Sequence, residues 1–71
     1  MLIKLNEAYY RNGCYQSSPL IVNTDEIEAI NEDHSGYEDF VYVHMKSGKC
    51  FRLKDKYKDV LKMLEHKEEQ T

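Results

Sequence analysis

The sequence predicts an α+β domain in which a small antiparallel sheet of about five strands is closed by one C-terminal amphipathic helix. Three observations support this prediction. Asn12-Gly13 is a strong signal for a two-residue β-hairpin. Residues 40–53 read as two strands joined by Ser47-Gly48, and from Asp55 onward the apolar residues recur at helical spacing.

The first hairpin is predicted over residues 2–11 and 14–22, and its register follows from the turn. Asn-Gly favours a type I′ turn, because both central residues need a positive φ. Apolar residues then share one face, and the predicted partners are Arg11–Cys14, Tyr10–Tyr15, Tyr9–Gln16, Leu5–Leu20, Lys4–Ile21 and Ile3–Val22. The polar middle of the hairpin predicts a bulge or a bend, with Pro19 at that bulge or on a sheet edge.

The central part of the chain predicts a turn, a short strand and a second hairpin. Residues 23–26 are expected to form one tight turn, because Asn and Thr cap helical turns and acidic residues favour a first turn. A strand near residues 27–32, a loop over residues 33–36 and a strand over residues 38–46 follow. A three-residue loop with Gly48 in the left-handed conformation places four apolar residues on one face, pairing Val43 with Phe51 and Val41 with Leu53.

The C-terminal helix is predicted from Asp55, which is a plausible N-cap. One helical face then carries the apolar positions Tyr57, Val60, Leu61 and Leu64. Acidic residues near the end of the helix oppose its dipole. We therefore expect a single domain over residues 1–67 and a frayed tail over residues 68–71.

Size and charge restrict the classes of function. The chain has 71 residues, so its stability is expected to be marginal. Ten basic and thirteen acidic residues give a net charge of −3, and nucleic-acid binding is therefore not expected, because it depends mainly on basic groups.

No signal peptide and no apolar run of about 20 residues is apparent, which predicts a cytoplasmic protein without a membrane partner. Cys14 and Cys50 are expected to be free, buried or half-buried thiols.

No sequence pattern predicts catalysis, a cofactor or a metal site. The three His and two Cys residues lack the paired spacing of a zinc site, and no Gly-rich phosphate loop is present. The predicted register makes His44 and Cys50 cross-strand neighbours, but a hairpin offers no oxyanion hole for a nucleophilic cysteine. We therefore predict a protein that is not an enzyme, with no catalytic, cofactor-binding or metal-binding residues.

Aromatic residues indicate a candidate interface. Tyr, His and Arg together are typical of interfaces. The seven candidates are Tyr9, Tyr10 and Tyr15 near the tip of the first hairpin, and Phe40, Tyr42, His44 and Arg52 on the strand face opposite the valines. The alternative is that this face packs against the helix or the first hairpin. The expected partner is an unidentified protein, with a homo-oligomer in first place; a nucleotide-like ligand held between protomers and nucleic acid are the other possibilities.

From about Pro19 to Leu64 the pattern of strands, turns and helix resembles a family of small bacterial proteins. The residues that carry the resemblance are Asn23, Asp25, Ile27, Ile30, Val41, Val43, Gly48, Lys49, Leu53, Val60 and Leu64. The pattern is similar to the FlbD/SwrD family of swarming-motility proteins and to related phage and mobile-element proteins. This resemblance implies a non-enzymatic accessory protein or inhibitor. A second resemblance, through residues 27–30 and 43–49, is to the front half of LytTR DNA-binding domains.

Overall fold

The computed structural model describes residues 1–36 and 38–69, with the side chains of residues 66–69 excepted. The elements in chain order are β1 (Leu2–Arg11), β2 (Cys14–Asn23), a 3₁₀ turn (Thr24–Glu26), β3 (Ile27–Asp33), β4 (Phe40–Met45), β5 (Cys50–Leu53) and α1 (Tyr57–Glu69). The strands form one antiparallel five-stranded sheet in the order β2-β1-β5-β4-β3. The predicted α+β class, with a sheet and one C-terminal helix, is confirmed.

The first hairpin has the predicted register. Asn12 and Gly13 both have positive φ, at 53° and 83°, as a type I′ turn requires. Pairing runs without a shift from Leu2–Asn23 to Arg11–Cys14, so the middle of the hairpin contains no bulge, and the predicted alternative, a bend, stays a prediction. Pro19 lies on the edge strand β2, and a sheet edge is one of the two positions predicted for it.

Asn6 explains how Pro19 fits into the ladder without a bulge. Asn6 pairs with Pro19, but its backbone groups point away from β2. The carbonyl of Asn6 accepts from the backbone N–H of Lys54 at 2.7 Å, and its N–H donates to Oδ1 of Asp55 at 2.6 Å. Asn6 and Pro19 are therefore a non-hydrogen-bonded pair, and the nitrogen of Pro19 faces the free edge, where no hydrogen is needed.

The second hairpin also has the predicted register. Val43 pairs with Phe51 and Val41 with Leu53. Gly48 has φ +95°, its N–H donates to the carbonyl of Met45 at 2.9 Å, and the Met45 N–H donates to Lys49 at 2.8 Å.

The predicted turn before β3 is confirmed as a 3₁₀ turn. Asn23 caps it, because its side chain accepts from the N–H of Asp25 at 3.1 Å. β3 then runs one residue beyond the predicted strand, to Asp33. A register shift between Ile27 and Ala29 interrupts its pairing with β4.

The hydrophobic core lies on the face of the sheet where α1 packs. Val60 is fully buried, and Tyr57, Met63 and Leu64 pack against the same cluster. The buried sheet residues of this cluster come from both hairpins, and they are Ile3, Leu5, Val22, Val41, Val43 and Leu53. No helix in the described part of the chain is long and apolar enough to cross a lipid bilayer.

The helix begins at Tyr57, so the prediction that Asp55 is its N-cap is wrong. The first helical N–H groups, of Asp59 and Val60, donate to the carbonyl of Lys56 at 3.0 and 3.1 Å. The Asp55 carboxylate instead accepts from the N–H and from Nδ2 of Asn6, at 2.6 and 3.1 Å. Asp55 therefore ties the segment before α1 to β1.

The predicted tail over residues 68–71 overlaps the helix, whose assignment includes residues 68 and 69. Gln70 and Thr71 lie outside the described residues. Fraying of this segment therefore stays a prediction.

Candidate functional site

The face of the sheet opposite α1, here called the open face, carries a group of aromatic side chains. Strand pairing places Tyr10 opposite Tyr15 and Tyr42 opposite Arg52, all on this face. Phe40 is only 9% exposed although it lies on the open face, away from the core cluster around α1. The side chains of this face therefore cover one another.

Tyr10, Tyr15, Phe40, Tyr42 and Arg52 form what we call the aromatic–arginine cluster. The ring centroids of Tyr10 and Tyr15 are 5.1 Å apart, and those of Tyr15 and Phe40 are 4.7 Å apart. The guanidinium carbon of Arg52 lies 5.1 Å from the ring centre of Phe40, 5.6 Å from that of Tyr15 and 5.7 Å from that of Tyr42. These distances are within the range of cation–π interactions. Arg52 is thus the centre of the cluster.

Arg52 donates to two tyrosine hydroxyls. Its Nε donates to the Tyr42 hydroxyl at 3.1 Å and its Nη1 to the Tyr15 hydroxyl at 3.3 Å. The hydrogen bond with Tyr42 is the largest of the effects that raise the pKa of Arg52 above its ordinary value. Among the described side chains, no carboxylate forms an ion pair with Arg52. Since a guanidinium has five N–H donors, three remain for another molecule.

Asp33 is the acidic neighbour of the cluster. It pairs with Phe40 at the end of β3 and therefore shares the open face. Its Oδ1 accepts from the Ser35 N–H at 2.9 Å. Hydrogen bonds from Ser35 are the main cause that lowers the pKa of Asp33, and the charges of His34 and Arg52 lower it further. Asp33 is therefore a carboxylate at neutral pH.

His44 extends the open face beyond the cluster. It pairs with Cys50, as predicted. Its Nε2 lies 2.6 Å from Oδ1 of Asn31 on β3. His44 is half-buried beside the exposed Cys50, with one ring nitrogen within hydrogen-bond distance of an amide oxygen.

The structure brings together five of the seven predicted site residues, which are Tyr10, Tyr15, Phe40, Tyr42 and Arg52. His44 lies on the same face without a ring contact to them. Tyr9 points to the other side of β1, because neighbouring residues of a strand alternate, and it is 37% exposed. Ala8 and Asp33 belong to the open face but were not predicted. Ala8 is 6% exposed, and the pairing of Glu7 with Leu53 places it next to Arg52.

Both cysteines are free and exposed, so the prediction that they are buried or half-buried is wrong. Each flanks a turn, Cys14 at the first hairpin and Cys50 at the second, where few side chains cover a strand. Cys14 Sγ lies 3.7 Å from the carbonyl of Arg11. Within residues 1–36 and 38–65, no cluster of His, Cys, Asp and Glu has the geometry to hold a metal ion.

A cleft of about 630 Å³ lies between the loop after β3 and the segment that joins β5 to α1. Phe40 lies at its border with the open face. Its charged lining residues include Glu32, Glu38, Asp39, Lys54, Lys56 and Lys58. Because the lining contains both acids and lysines, the cleft offers no single sign of charge to a ligand.

The comparisons with known proteins leave the family of this chain open. It matches no protein-family model, no curated protein and no solved structure. The resemblance to the FlbD/SwrD family and to LytTR domains therefore stays a prediction.

Proposed function

We propose that this protein is a small non-enzymatic module that acts by binding protein through its open face, and that a second copy of the chain occupies this face. The observation that carries the proposal is the aromatic–arginine cluster on the side of the sheet that α1 leaves uncovered. Arg and Tyr are enriched in the residues that dominate binding energy at interfaces. The remaining N–H donors of Arg52 also allow this surface to form directional hydrogen bonds with a partner.

Exposed apolar side chains enlarge this surface. Tyr10 is 64% exposed and Ile21, on β2, is 63% exposed. Ile21 pairs with Lys4, and alternation along β1 places both on the open face. Tyr10 and Ile21 therefore add exposed apolar area to the open face, at opposite ends of the first hairpin.

The dimensions of the sheet predict a weak contact. Five strands about 4.8 Å apart, over about six residues of 3.3 Å each, give a flat area of roughly 24 by 20 Å. This is below the approximately 800 Å² per partner of a standard interface. We therefore expect a dimer with a dissociation constant in the micromolar range or above, in equilibrium with monomer.

The wider role is part of the same proposal. A small cytoplasmic protein that offers one interaction face suits an accessory factor or inhibitor of the kind that phages and mobile elements encode. We also propose that α1 is amphipathic, since Val60 is buried while Lys58 and Lys62 are exposed. The exposed side of α1 then stays free when the open face is occupied.

Sedimentation equilibrium and native mass spectrometry test the proposed dimer. The wild-type mass should rise with concentration, and Tyr42→Ala with Arg52→Glu should remove this rise. Tyr10→Ala is a milder variant, because an exposed side chain contributes little to folding, and it should weaken self-association. Lys62→Glu, on the exposed side of α1, is the control and should behave as wild type.

Two results would contradict the proposal. One is a wild-type chain that stays monomeric up to millimolar concentration. The other is a folded double variant, checked by circular dichroism, that self-associates as the wild type does. Extra mass beyond the polypeptide would instead indicate a small ligand held between protomers.

A further inference from the structure

Besides Lys4 on β1, the open face carries a positive group, Arg52, and a negative group, Asp33, that form no ion pair with each other within the chain. Arg52 lies on β5 and Asp33 on β3, with β4 between them. Among the described strand residues, Asp33 is the only carboxylate that pairing places on this face. The acids Glu7 and Glu32 pair with Leu53 and Val41, on the side of the sheet that faces α1.

Both groups have unused hydrogen-bonding capacity. Arg52 uses two N–H donors on tyrosine hydroxyls, and the hydrogen-bonded oxygen of Asp33 faces Ser35. Their charges influence each other, yet they form no ion pair within the chain. Each could therefore accept a partner of opposite charge.

We propose that two copies pack open face to open face, so that Arg52 of each copy pairs with Asp33 of the other. This inference rests on the proposed function and names the contact that fixes the orientation of the dimer. A two-fold axis in the plane between the sheets, midway between Arg52 and Asp33, exchanges their positions. Because β4 lies between β5 and β3, Phe40 and Tyr42 then lie near the axis.

Two-fold symmetry makes these contacts reciprocal, so a single residue pair occurs twice in each dimer. An interface that covered Arg52 without a carboxylate would leave a charge desolvated and unpaired, which is strongly unfavourable. A second open face provides a carboxylate in Asp33 and aromatic surface around it. A singly charged carboxylate also suits this site better than a phosphate dianion, which Asp33 of the same chain would repel.

Mixing two charge-reversed variants tests the pairing. Arg52→Glu alone places two acids opposite each other at both contacts, and Asp33→Lys alone places two cations there. Each variant should self-associate at least about tenfold more weakly than wild type, since close charge pairs at interfaces couple by 1.4 kcal/mol or more. In an equimolar mixture, both contacts join opposite charges. Heterodimers should then form with a dissociation constant within a few-fold of the wild-type value.

Asp33→Asn keeps the proposal testable even if Arg52→Glu fails to fold. This variant retains one oxygen that can accept from Ser35 and removes the charge, with an NH2 group in place of the second oxygen. It should weaken self-association several-fold and reduce its dependence on salt, because screening acts on the ion pair. Lys62→Glu serves as the charge control, and circular dichroism checks the fold of each variant.

The outcomes separate this inference from the proposed function. Recovery of association in the mixture supports the Arg52–Asp33 contact. If both single variants self-associate as wild type does, or if the mixture of two folded variants shows no recovery, the contact is wrong while open-face binding stands. If wild type is monomeric throughout, both proposals fail.

Discussion

Removing the carboxylate of Asp55 should destabilise the fold, because this carboxylate ties the segment before α1 to β1. β1 and β5, all of whose residues are described, share a single residue pair, Glu7–Leu53. The link beside this pair consists of the Lys54–Asn6 backbone hydrogen bond at 2.7 Å and the two bonds that Asp55 accepts from Asn6, at 2.6 and 3.1 Å. Asp55 thus provides two of the few bonds that join the first hairpin to the rest of the sheet.

The structure sets the expected size of the effect. Hydrogen bonds to charged groups contribute about 1.5–3 kcal/mol each, and the partial exposure of Asp55 lowers the total for its two bonds below the sum of two such values. We expect Asp55→Ala to lower the free energy of unfolding by about 2 kcal/mol, which corresponds to a fall in Tm of about 8–16 °C for a domain of this size. Asp55→Asn, which keeps one acceptor oxygen for the Asn6 N–H, should lose about half as much.

Urea unfolding followed by circular dichroism measures this loss, and amide hydrogen exchange at Asn6 reports the site itself. Asp59→Ala is the matched control, because it removes an exposed acid from the first turn of α1. It should cost about 0.5 kcal/mol through the helix dipole. If Asp55→Ala unfolds within 0.5 kcal/mol of wild type, the carboxylate is not a structural link.

Two further predictions concern the loops. The hydrogen bond from His34 to Asp39, at 2.9 Å, raises the pKa of His34 above its ordinary value of 6.5. The contribution of this pair to stability is therefore fully present below the unfolded pKa and is lost as pH rises through the folded pKa. An NMR titration should show a midpoint above 6.5 that returns toward 6.5 in Asp39→Asn, and an unchanged midpoint would exclude the contact. Gly48→Ala, at φ +95°, should cost about 1–2 kcal/mol in urea unfolding, and no loss would contradict the left-handed loop.

Local pairing could be predicted from the sequence because turn residues determine it. Asn12-Gly13 indicated a two-residue loop, and counting outward from it gave six partners of β1 in β2, from Arg11–Cys14 to Ile3–Val22, all of which the structure shows. In the second hairpin, the three-residue loop was predicted because it keeps Val43 and Phe51 on one face. Both results depend on residues close together in the chain.

Contacts across the junction of β1 and β5 could not be predicted in the same way. Aspartate commonly caps helices, so the sequence indicated an N-cap at Asp55. Only its position beside Asn6, 49 residues away, makes it a link between β1 and the segment before α1. The contact of Tyr15 with Phe40 and Arg52 likewise needs the strand order of the whole sheet. The sequence placed these side chains on strand faces. It did not show that the tyrosines of the first hairpin would join Phe40, Tyr42 and Arg52 of the second hairpin in one cluster.

The order β2-β1-β5-β4-β3 also has a consequence for how the chain assembles. The pairs β1–β2 and β4–β5 form between neighbouring segments, whereas Glu7 meets Leu53 only after the chain between them has closed into a loop, at an entropic cost. Val60 is buried in a cluster with residues of both hairpins, such as Leu5 and Val43. It therefore covers the junction of the two hairpins once β1 and β5 have paired. Docking of two preformed hairpins is therefore expected to be the slow step of folding. During synthesis the first hairpin can form early, but the sheet cannot close until the segment around Val60 has left the ribosome.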